Sequence, residues 1–197
     1  MKKALLVSLI LGALPLAAGT LTAEERSLLL TQLDKSSRTV LASLEGVTEA
    51  QWKFKPAPDR WSIAECAEHI ATADQAMFGF ATQQLLKMQP PPDAVKRRDE
   101  AILATTTDRS VKVKTAEFME PKNRYADKAA AIDAFQKSRA KIAEYVKTTQ
   151  DDLRSHGFQG PLGYVDGYQF LLTLSAHGER HALQIAEVKA DPGYPKK

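Results

Sequence analysis

The sequence predicts an all-α protein, a four-helix bundle formed by a single domain, and three observations lead to this prediction. Four long segments carry apolar residues at the three- and four-residue spacing of amphipathic helices. Each of these segments begins with a polar residue suited to cap a helix. Of the 197 residues, 44% are hydrophobic and 26% are charged, as in one globular domain with a substantial core. Strand-like alternation is limited to residues 110–114, and there are no repeats.

The first helix begins at a capping box formed by Thr22 and Glu25. Gly46 is a natural end for it, because glycine readily adopts the left-handed conformation found just past a helix. The inward face of this helix consists of five apolar residues, Leu29, Leu33, Val40, Leu41 and Leu44. A connection that contains two prolines, Pro56 and Pro58, follows and cannot continue the helix.

The second helix has a well-specified start. Ser62 is the expected N-cap, Glu65 completes a capping box, and Trp61 is placed to pack against Cys66. Cys66 is the only cysteine, so it forms no internal disulfide, and we expect a small buried apolar residue. His69 lies one turn beyond Cys66, at the edge of the inward face. That face carries Ile63, Cys66, Ala67, Ile70, Met77 and Phe78, together with Ala73 or Asp74.

A long connection, residues 89–127, separates the second helix from the third. It contains three consecutive prolines and many charges, with one short helical segment expected near residues 99–104. A connection of this length in a bundle is expected to cross from one end to the other and to cover part of a site. We therefore expect the second and third helices to run parallel.

The third and fourth helices are predicted to begin at Asp127 and at Asp166. The third buries Ile132, Phe135 and Ile142, together with Tyr145 or Val146. Three glycines and a proline between the two helices indicate a turn region, at Gly157, Gly160, Pro161 and Gly163. The inward face of the fourth helix carries Phe170, Leu174, His177, His181, Ile185 and Val188.

His177 and His181 are four residues apart, a spacing that places both imidazoles on one side of a helix. Such a pair occurs by chance on many exposed helices and alone is weak evidence for a metal. Here the pair lies on the core-facing side, where imidazoles without a metal would need separate hydrogen-bond partners. Together with His69, the pair predicts a three-histidine metal site. Three protein ligands leave positions open for water or substrate, as in catalytic sites.

Residues 1–19 have the layout of a secretory signal peptide: two lysines, an apolar run and then small residues. The run is short for a membrane span, so a retained anchor is the weaker interpretation. We expect the mature domain, residues 20–197, to be periplasmic or secreted, with no membrane association after cleavage. Losing Lys2 and Lys3 lowers the formal charge from +3 to +1. Acidic residues surround the basic cluster at residues 96–98, so we expect no nucleic-acid partner.

Residues 60–74, 101–118 and 160–195 resemble the DinB-like (YfiT-type) superfamily of four-helix-bundle metalloenzymes. That family's metal motif, one histidine in the second helix and HxxxH in the fourth, falls here on His69, His177 and His181. The resemblance implies an up-down-down-up bundle with a long crossover between helices two and three. It also implies frequent homodimerisation and a divalent metal ion, often zinc, nickel or manganese. Three imidazole ligands suit iron as well, and we expect zinc first.

Characterised relatives in this family include thiol-dependent S-transferases and a mycothiol-dependent maleylpyruvate isomerase. Low-molecular-weight thiols are scarce outside the cytoplasm, so a signal peptide makes metal-assisted hydrolysis at least as plausible as thiol transfer. The prediction is a divalent-metal-dependent enzyme, a hydrolase or a thiol S-transferase, that uses metal-bound water or a thiol on a small-molecule substrate. The alternative is a non-catalytic metal-binding or helical interaction module.

The catalytic residues beyond the metal ligands are unknown from the sequence. Four acids are candidates for proton transfer, Glu65, Glu68, Asp74 and Glu179. Glu65 is expected to serve the helix cap, whereas Glu68 and Glu179 are expected to be solvated. We expect Arg180 at the surface or against a partner helix, and His156 in a loop. Tyr164 and Tyr168 either line the mouth of the site or pack in the core.

Overall fold

The computed structural model describes residues 19–160 and 163–196. The predicted signal peptide, apart from Gly19, therefore lies outside the described residues. The four predicted helices are present as α1 (Ala23–Leu44), α3 (Ile63–Gln83), α5 (Lys128–Thr148) and α6 (Gly167–Lys189). Two shorter helices, α2 (Glu49–Lys53) and α4 (Asp99–Thr107), lie in the connections. Across both described ranges, we find no helix that combines the length and the apolar character needed to cross a membrane.

The predicted helix starts are confirmed. Thr22 and Ser62 each form a complete capping box with the glutamate three residues further on. Asp127 and Asp166 each accept a hydrogen bond from the backbone N–H three residues further on. Gly46 follows the end of α1 with φ +64°, the left-handed conformation expected there. Local sequence therefore determines where each long helix begins.

The core is assembled from contacts between pairs of long helices. Both α1 and α3 pack against α5 and α6, and α4 packs along α6. The buried apolar side chains form two clusters. The first cluster includes Val40, Trp52, Ile63, Cys66, Ile70, Phe135 and Ile185. The second cluster includes Leu29, Leu33, Phe78, Ile142, Tyr168, Leu172 and Leu174.

A polar layer separates the two clusters along all four long helices. It contains a buried ion pair in which Arg139 of α5 donates to both carboxylate oxygens of Asp74 of α3, at 2.6 and 3.1 Å. Arg139 also donates to the carbonyl oxygen of Ser175 on α6. On α1 the residue at this level is the buried Ser36. A charged pair at this depth needs all its hydrogen bonds satisfied, and helix α6 supplies the additional acceptor.

Gly178 of α6 makes room for this guanidinium. A Cβ at position 178 would lie 2.6 Å from Oγ of Ser36 and 3.0 Å from Nη2 of Arg139. We expect Gly178→Ala to lower the free energy of unfolding by about 1–3 kcal/mol, although alanine is the better helix former. Urea denaturation measures the effect, with Gly79→Ala on α3 as the matched control because its Cβ would meet nothing. Equal loss of stability in the two variants would contradict this packing.

The structure corrects the prediction of a purely helical chain. The region expected to be only a turn forms an antiparallel hairpin of two strands, β1 (Gly157–Gly160) and β2 (Gly163–Asp166). Phe158 of β1 packs against Phe80 of α3 and Phe170 of α6, with ring centroids 5.3 and 5.6 Å away. Strands of four residues with glycines at their ends carry too little alternation to be recognised in a sequence.

The long connection between α3 and α5 has defined structure. Its expected short helix is confirmed as α4, which buries Ile102 against the second cluster. A single 3₁₀ turn precedes α4 at Leu85–Lys87, and another follows at Glu117–Met119. Residues 110–114, the strand-like run, begin in a turn and a bend, lie outside the two strands and are exposed. This connection places Met119 against His69, one of the histidines described next, and Arg109 against Gln184 of α6.

Candidate metal centre

Three histidines converge where α3 packs on α6. His69 extends from α3, and His177 and His181 extend from successive turns of α6. Nε2 of His177 lies 3.4 Å from Nε2 of His69 and 3.0 Å from Nε2 of His181. One ring nitrogen of each residue lies within 4.8 Å of the other two. The structure thus brings together the three histidines that the sequence singled out.

The ring nitrogens of these three histidines, which we call the histidine cluster, are placed to bind a single metal ion. Ligands about 2.1 Å from a tetrahedral zinc ion lie roughly 3.4 Å from one another. The three ring planes cross at 62°, 69° and 72°, so the imidazoles meet edge to face and do not stack. A neutral imidazole has one N–H, so His177 can donate to only one of its two close neighbours. A divalent ion would engage all three nitrogens at once.

His69 and His181 are each held by the ring nitrogen that faces away from the cluster. Nδ1 of His69 donates to the carbonyl oxygen of Met119 at 2.9 Å. Nδ1 of His181 donates to Oε1 of Gln184, also at 2.9 Å, and Arg109 donates to the same oxygen. Because these oxygens accept, both Nδ1 atoms carry the proton and both Nε2 atoms keep a lone pair. A metal ligand requires this tautomer.

Burial keeps the cluster neutral. His69 and His181 are only 2% and 5% exposed. Burial lowers the pKa of all three histidines, and it holds those of His177 and His181 well below the usual value. Neighbouring imidazoles and arginines depress the pKa of His177 and His181 further, whereas the bond to Met119 opposes the shift at His69. Metal binding near pH 7 therefore does not have to displace a proton from an imidazolium.

The remaining ring nitrogen of the cluster has no partner. Nδ1 of His177 is buried, and among residues 19–160 and 163–196 nothing hydrogen-bonds to it. Buried polar atoms without a partner are uncommon in folded proteins and call for a reason beyond packing. An apolar residue at this position would avoid the cost, so the histidine is better explained by what its Nε2 can bind.

Trp61 forms one wall of the cluster. Its ring centroid lies 4.8 Å from that of His69 and 6.0 Å from that of His181, and it is stacked at 24° on the latter. The sequence predicts that Trp61 packs against Cys66. Cys66 belongs to the first cluster, and the partly buried Trp61 packs against that cluster. The indole additionally covers the histidines. Burial raises the pKa of the Cys66 thiol, and this residue is not among the clustered ligands.

Two predictions about acidic residues are wrong. Glu68, expected to be solvated, is 6% exposed and pairs with Arg124 at 2.8 Å. Glu179, also expected to be solvated, is partly buried and accepts hydrogen bonds from Gln32 and Lys35 of α1. In both cases another part of the chain covers a helix face that the apolar periodicity marks as outward.

The other two acids are also engaged in structural contacts. Glu65 completes its capping box, as predicted, and pairs with Lys55 at 2.8 Å. Asp74 belongs to the polar layer through Arg139. All four acids considered for proton transfer are therefore held in ion pairs.

The remaining candidates lie where packing requires them. His156 lies in the loop before β1, outside the cluster, with Nδ1 3.0 Å from the Met88 carbonyl oxygen. Tyr164 and Tyr168 are both buried, and Tyr168 belongs to the second cluster, so they pack in the core and do not line a mouth. Arg180 points to the connection, where it donates to the carbonyl oxygens of Thr106, Asp108 and Val111.

Two groups that orient the candidate ligands, the Gln184 side chain and the Met119 carbonyl, were not predicted from the sequence. Gln184 follows His181 by three residues on one helix, and that spacing is a usable signal for a side-chain contact. Met119 acts through its backbone carbonyl, which carries no sequence signal. Arg109, which supports Gln184 and pairs with Glu187 at 2.9 Å, comes from the long connection. The contact of Arg109 with Gln184 depends on the path of that connection, which the sequence does not reveal.

Comparison with known proteins places this geometry in a family. The DinB superfamily matches residues 32–185, a range that contains all three histidines. The uncharacterized protein YuaE of Bacillus subtilis strain 168 is 24% identical over 153 residues, which cover 74% of this chain and 88% of YuaE.

A solved structure has a similar fold. YfiT from Bacillus subtilis is described as a probable metal-dependent hydrolase with an unusual four-helix bundle topology. It matches with a TM-score of 0.58 and 16% sequence identity over 89% of this chain and 92% of YfiT. At this identity the likeness concerns the fold, and it agrees with the predicted four-helix bundle. Since the family match spans most of the sequence, this chain belongs to the DinB superfamily.

Proposed function

We propose that this chain is a metal-dependent hydrolase in which His69, His177 and His181 bind one divalent ion. The observation that carries the proposal is the convergence of three Nε2 atoms, two of them in tautomers fixed by hydrogen bonds. Membership of the DinB superfamily and the resemblance to YfiT support it. The substrate we propose is a small molecule.

Each residue around the cluster has a defined part in this proposal. A divalent ion held by these three imidazoles would supply Lewis acidity and would lower the pKa of a water bound to it. The histidines bind as neutral donors, and Met119 and Gln184 hold the orientation of two of them. Trp61 excludes water from one side. Because the nearby carboxylates are held in ion pairs, we assign no proton-transfer role to them.

We place hydrolysis ahead of thiol transfer because the predicted signal peptide directs the chain to a compartment where small thiols are oxidised. A purely structural site is also disfavoured, since structural zinc is normally held by four protein ligands. The described residues of this cluster offer three. The proposal further includes zinc as the ion, a periplasmic or secreted mature protein, a homodimer, and an up-down-down-up order of α1, α3, α5 and α6.

A substrate screen tests the proposed activity. The mature protein, freed of metal and reloaded with zinc, nickel or manganese, is assayed on ester, amide and phosphoester panels. We expect turnover that disappears on chelation, returns with the ion and is absent from His181→Ala. His156→Ala, a change outside the cluster, should retain it. Equal turnover by the metal-free parent or by His181→Ala would contradict the proposal.

Removal of the ion should lower thermal stability. A ligand present at 100 times its Kd stabilises the folded state by about 2.7 kcal/mol, which corresponds to a Tm shift of roughly 5–10 °C at this chain length. We expect a chelator to lower the Tm of the zinc-loaded parent by that amount. Differential scanning calorimetry should show almost no shift for His177→Ala. A chelator effect of the same size in both proteins would mean that the ion binds elsewhere.

A further inference from the structure

Glu68, the residue before His69 on α3, is hydrogen-bonded to the turn formed by residues 117–124. The same turn contacts His69 through the carbonyl oxygen of Met119. The Oε1 atom of Glu68 accepts the backbone N–H of Lys122 at 2.6 Å and Nη1 of Arg124 at 2.8 Å. Between these two donors, Asn123 has φ +58°, a left-handed conformation that asparagine tolerates. That bend brings both donors to one oxygen. The carboxylate is almost fully buried, so its two partners replace the water it has lost.

Arg124 extends this attachment to the backbone on both sides of Met119. Its guanidinium donates to the carbonyl oxygen of Phe118 at 3.0 Å and to that of Glu120 at 2.6 Å. The carbonyl between them, that of Met119, is the one that accepts from Nδ1 of His69. Fixing the two flanking carbonyls fixes the direction of the central one.

The turn has few other attachments. Within the described ranges, the Met119 backbone N–H bonds to the carbonyl oxygen of the adjacent Ala116, and the hydrogen bonds from residues 117–124 to more distant parts of the chain go to Glu68 and His69. The ion pair between Glu117 and Lys122 is internal to the turn, long at 3.8 Å and exposed. The position of the Met119 carbonyl therefore depends on Glu68.

We propose that Glu68 is a positioning residue of the metal centre. Through Lys122 and Arg124 it holds the turn at residues 117–124 so that the Met119 carbonyl keeps the proton of His69 on Nδ1 and frees Nε2 for the ion. This inference rests on the proposed metal site, but the orientation of His69 is a property of the metal-free chain as well. Partners that orient a metal ligand typically contribute 10–100-fold to affinity.

Imidazole ¹⁵N NMR and zinc titration of Glu68→Ala test this role. In the metal-free parent we expect His69 to carry its proton on Nδ1 alone. In Glu68→Ala we expect a mixture of the two tautomers and a zinc affinity lower by about 10–100-fold. Glu68→Gln should restore both properties, because the amide oxygen still accepts from Lys122 and Arg124.

Two further variants separate positioning from loss of charge or of fold. Arg124→Ala should reproduce the effects of Glu68→Ala, and the double variant should add little, since both changes release the same turn. Glu117→Ala removes an exposed carboxylate from that turn and should change neither property. Circular dichroism confirms that each variant is folded before it is compared.

An unchanged His69 tautomer in Glu68→Ala, or a zinc affinity no lower than that of Glu117→Ala, would overturn the positioning role. Such a result would leave the proposed three-histidine site intact. If instead the parent binds no zinc, the proposed function fails, and the NMR comparison of the metal-free proteins alone decides whether Glu68 positions His69. The two proposals therefore fail in different ways.

Discussion

His177→Ala is expected to abolish tight metal binding. His177 is the central member of the cluster, because its Nε2 lies 3.4 Å from that of His69 and 3.0 Å from that of His181. Without it, two ligands remain on opposite helices and most of the binding geometry is lost. We expect the affinity for zinc to fall by more than the 10–100-fold typical of changes outside the ligand set. Competition with a chromophoric chelator measures this change.

The matched control is His156→Ala. This histidine lies in the loop before β1 and outside the cluster, so its removal takes away one imidazole without touching the proposed ligands. We expect its zinc affinity to equal that of the parent. Equal loss in the two variants would show that zinc binds through histidines in general, and the ligand set would be wrong.

Asp74→Ala is expected to cause the largest loss of stability of any single change considered. Burial raises the pKa of Asp74 to about 6, while the guanidinium of Arg139 opposes that shift, so the carboxylate is ionised at neutral pH. The substitution leaves the charge of Arg139 unpaired in the core. We expect the free energy of unfolding to fall by about 3–5 kcal/mol. Urea denaturation followed by circular dichroism measures it.

Asp34→Ala provides the comparison for an exposed ion pair. Asp34 pairs with Arg38 at 2.6 Å on the surface of α1, and both side chains are more than half exposed. Such pairs contribute about 0.3–0.5 kcal/mol. Replacing both Asp74 and Arg139 by apolar residues of similar size should recover much of the stability that Asp74→Ala loses. A loss below about 1 kcal/mol for Asp74→Ala would contradict the described polar layer.

The helices were predictable because their starts are encoded locally. Thr22, Ser62, Asp127 and Asp166 each cap a helix within three residues of chain. The polar layer was only partly predictable. Asp74 appeared as one of two candidates for an inward position, and the expected face of α5 omitted Arg139. Its spacing of four from Phe135 nevertheless places it on that face, where a charge must find a partner.

The three candidate ligands were also predictable, whereas their surroundings were not. His177 and His181 share a helix face by spacing alone, and His69 lies beside the inward face of α3. Glu68 and Met119 take their roles from residues about 50 positions away, across a connection without periodicity. Contacts of that kind depend on the path of the connection, and neither helix propensity nor hydrophobic pattern specifies that path.

The metal content of the purified mature protein, produced without a histidine tag, tests the central claim most directly. Inductively coupled plasma mass spectrometry is applied after incubation with zinc, nickel and manganese and removal of unbound metal. We predict close to one divalent ion per chain in the parent and none in His177→Ala. A parent that holds no ion after these incubations would contradict the account and would leave the three clustered imidazoles without a chemical role.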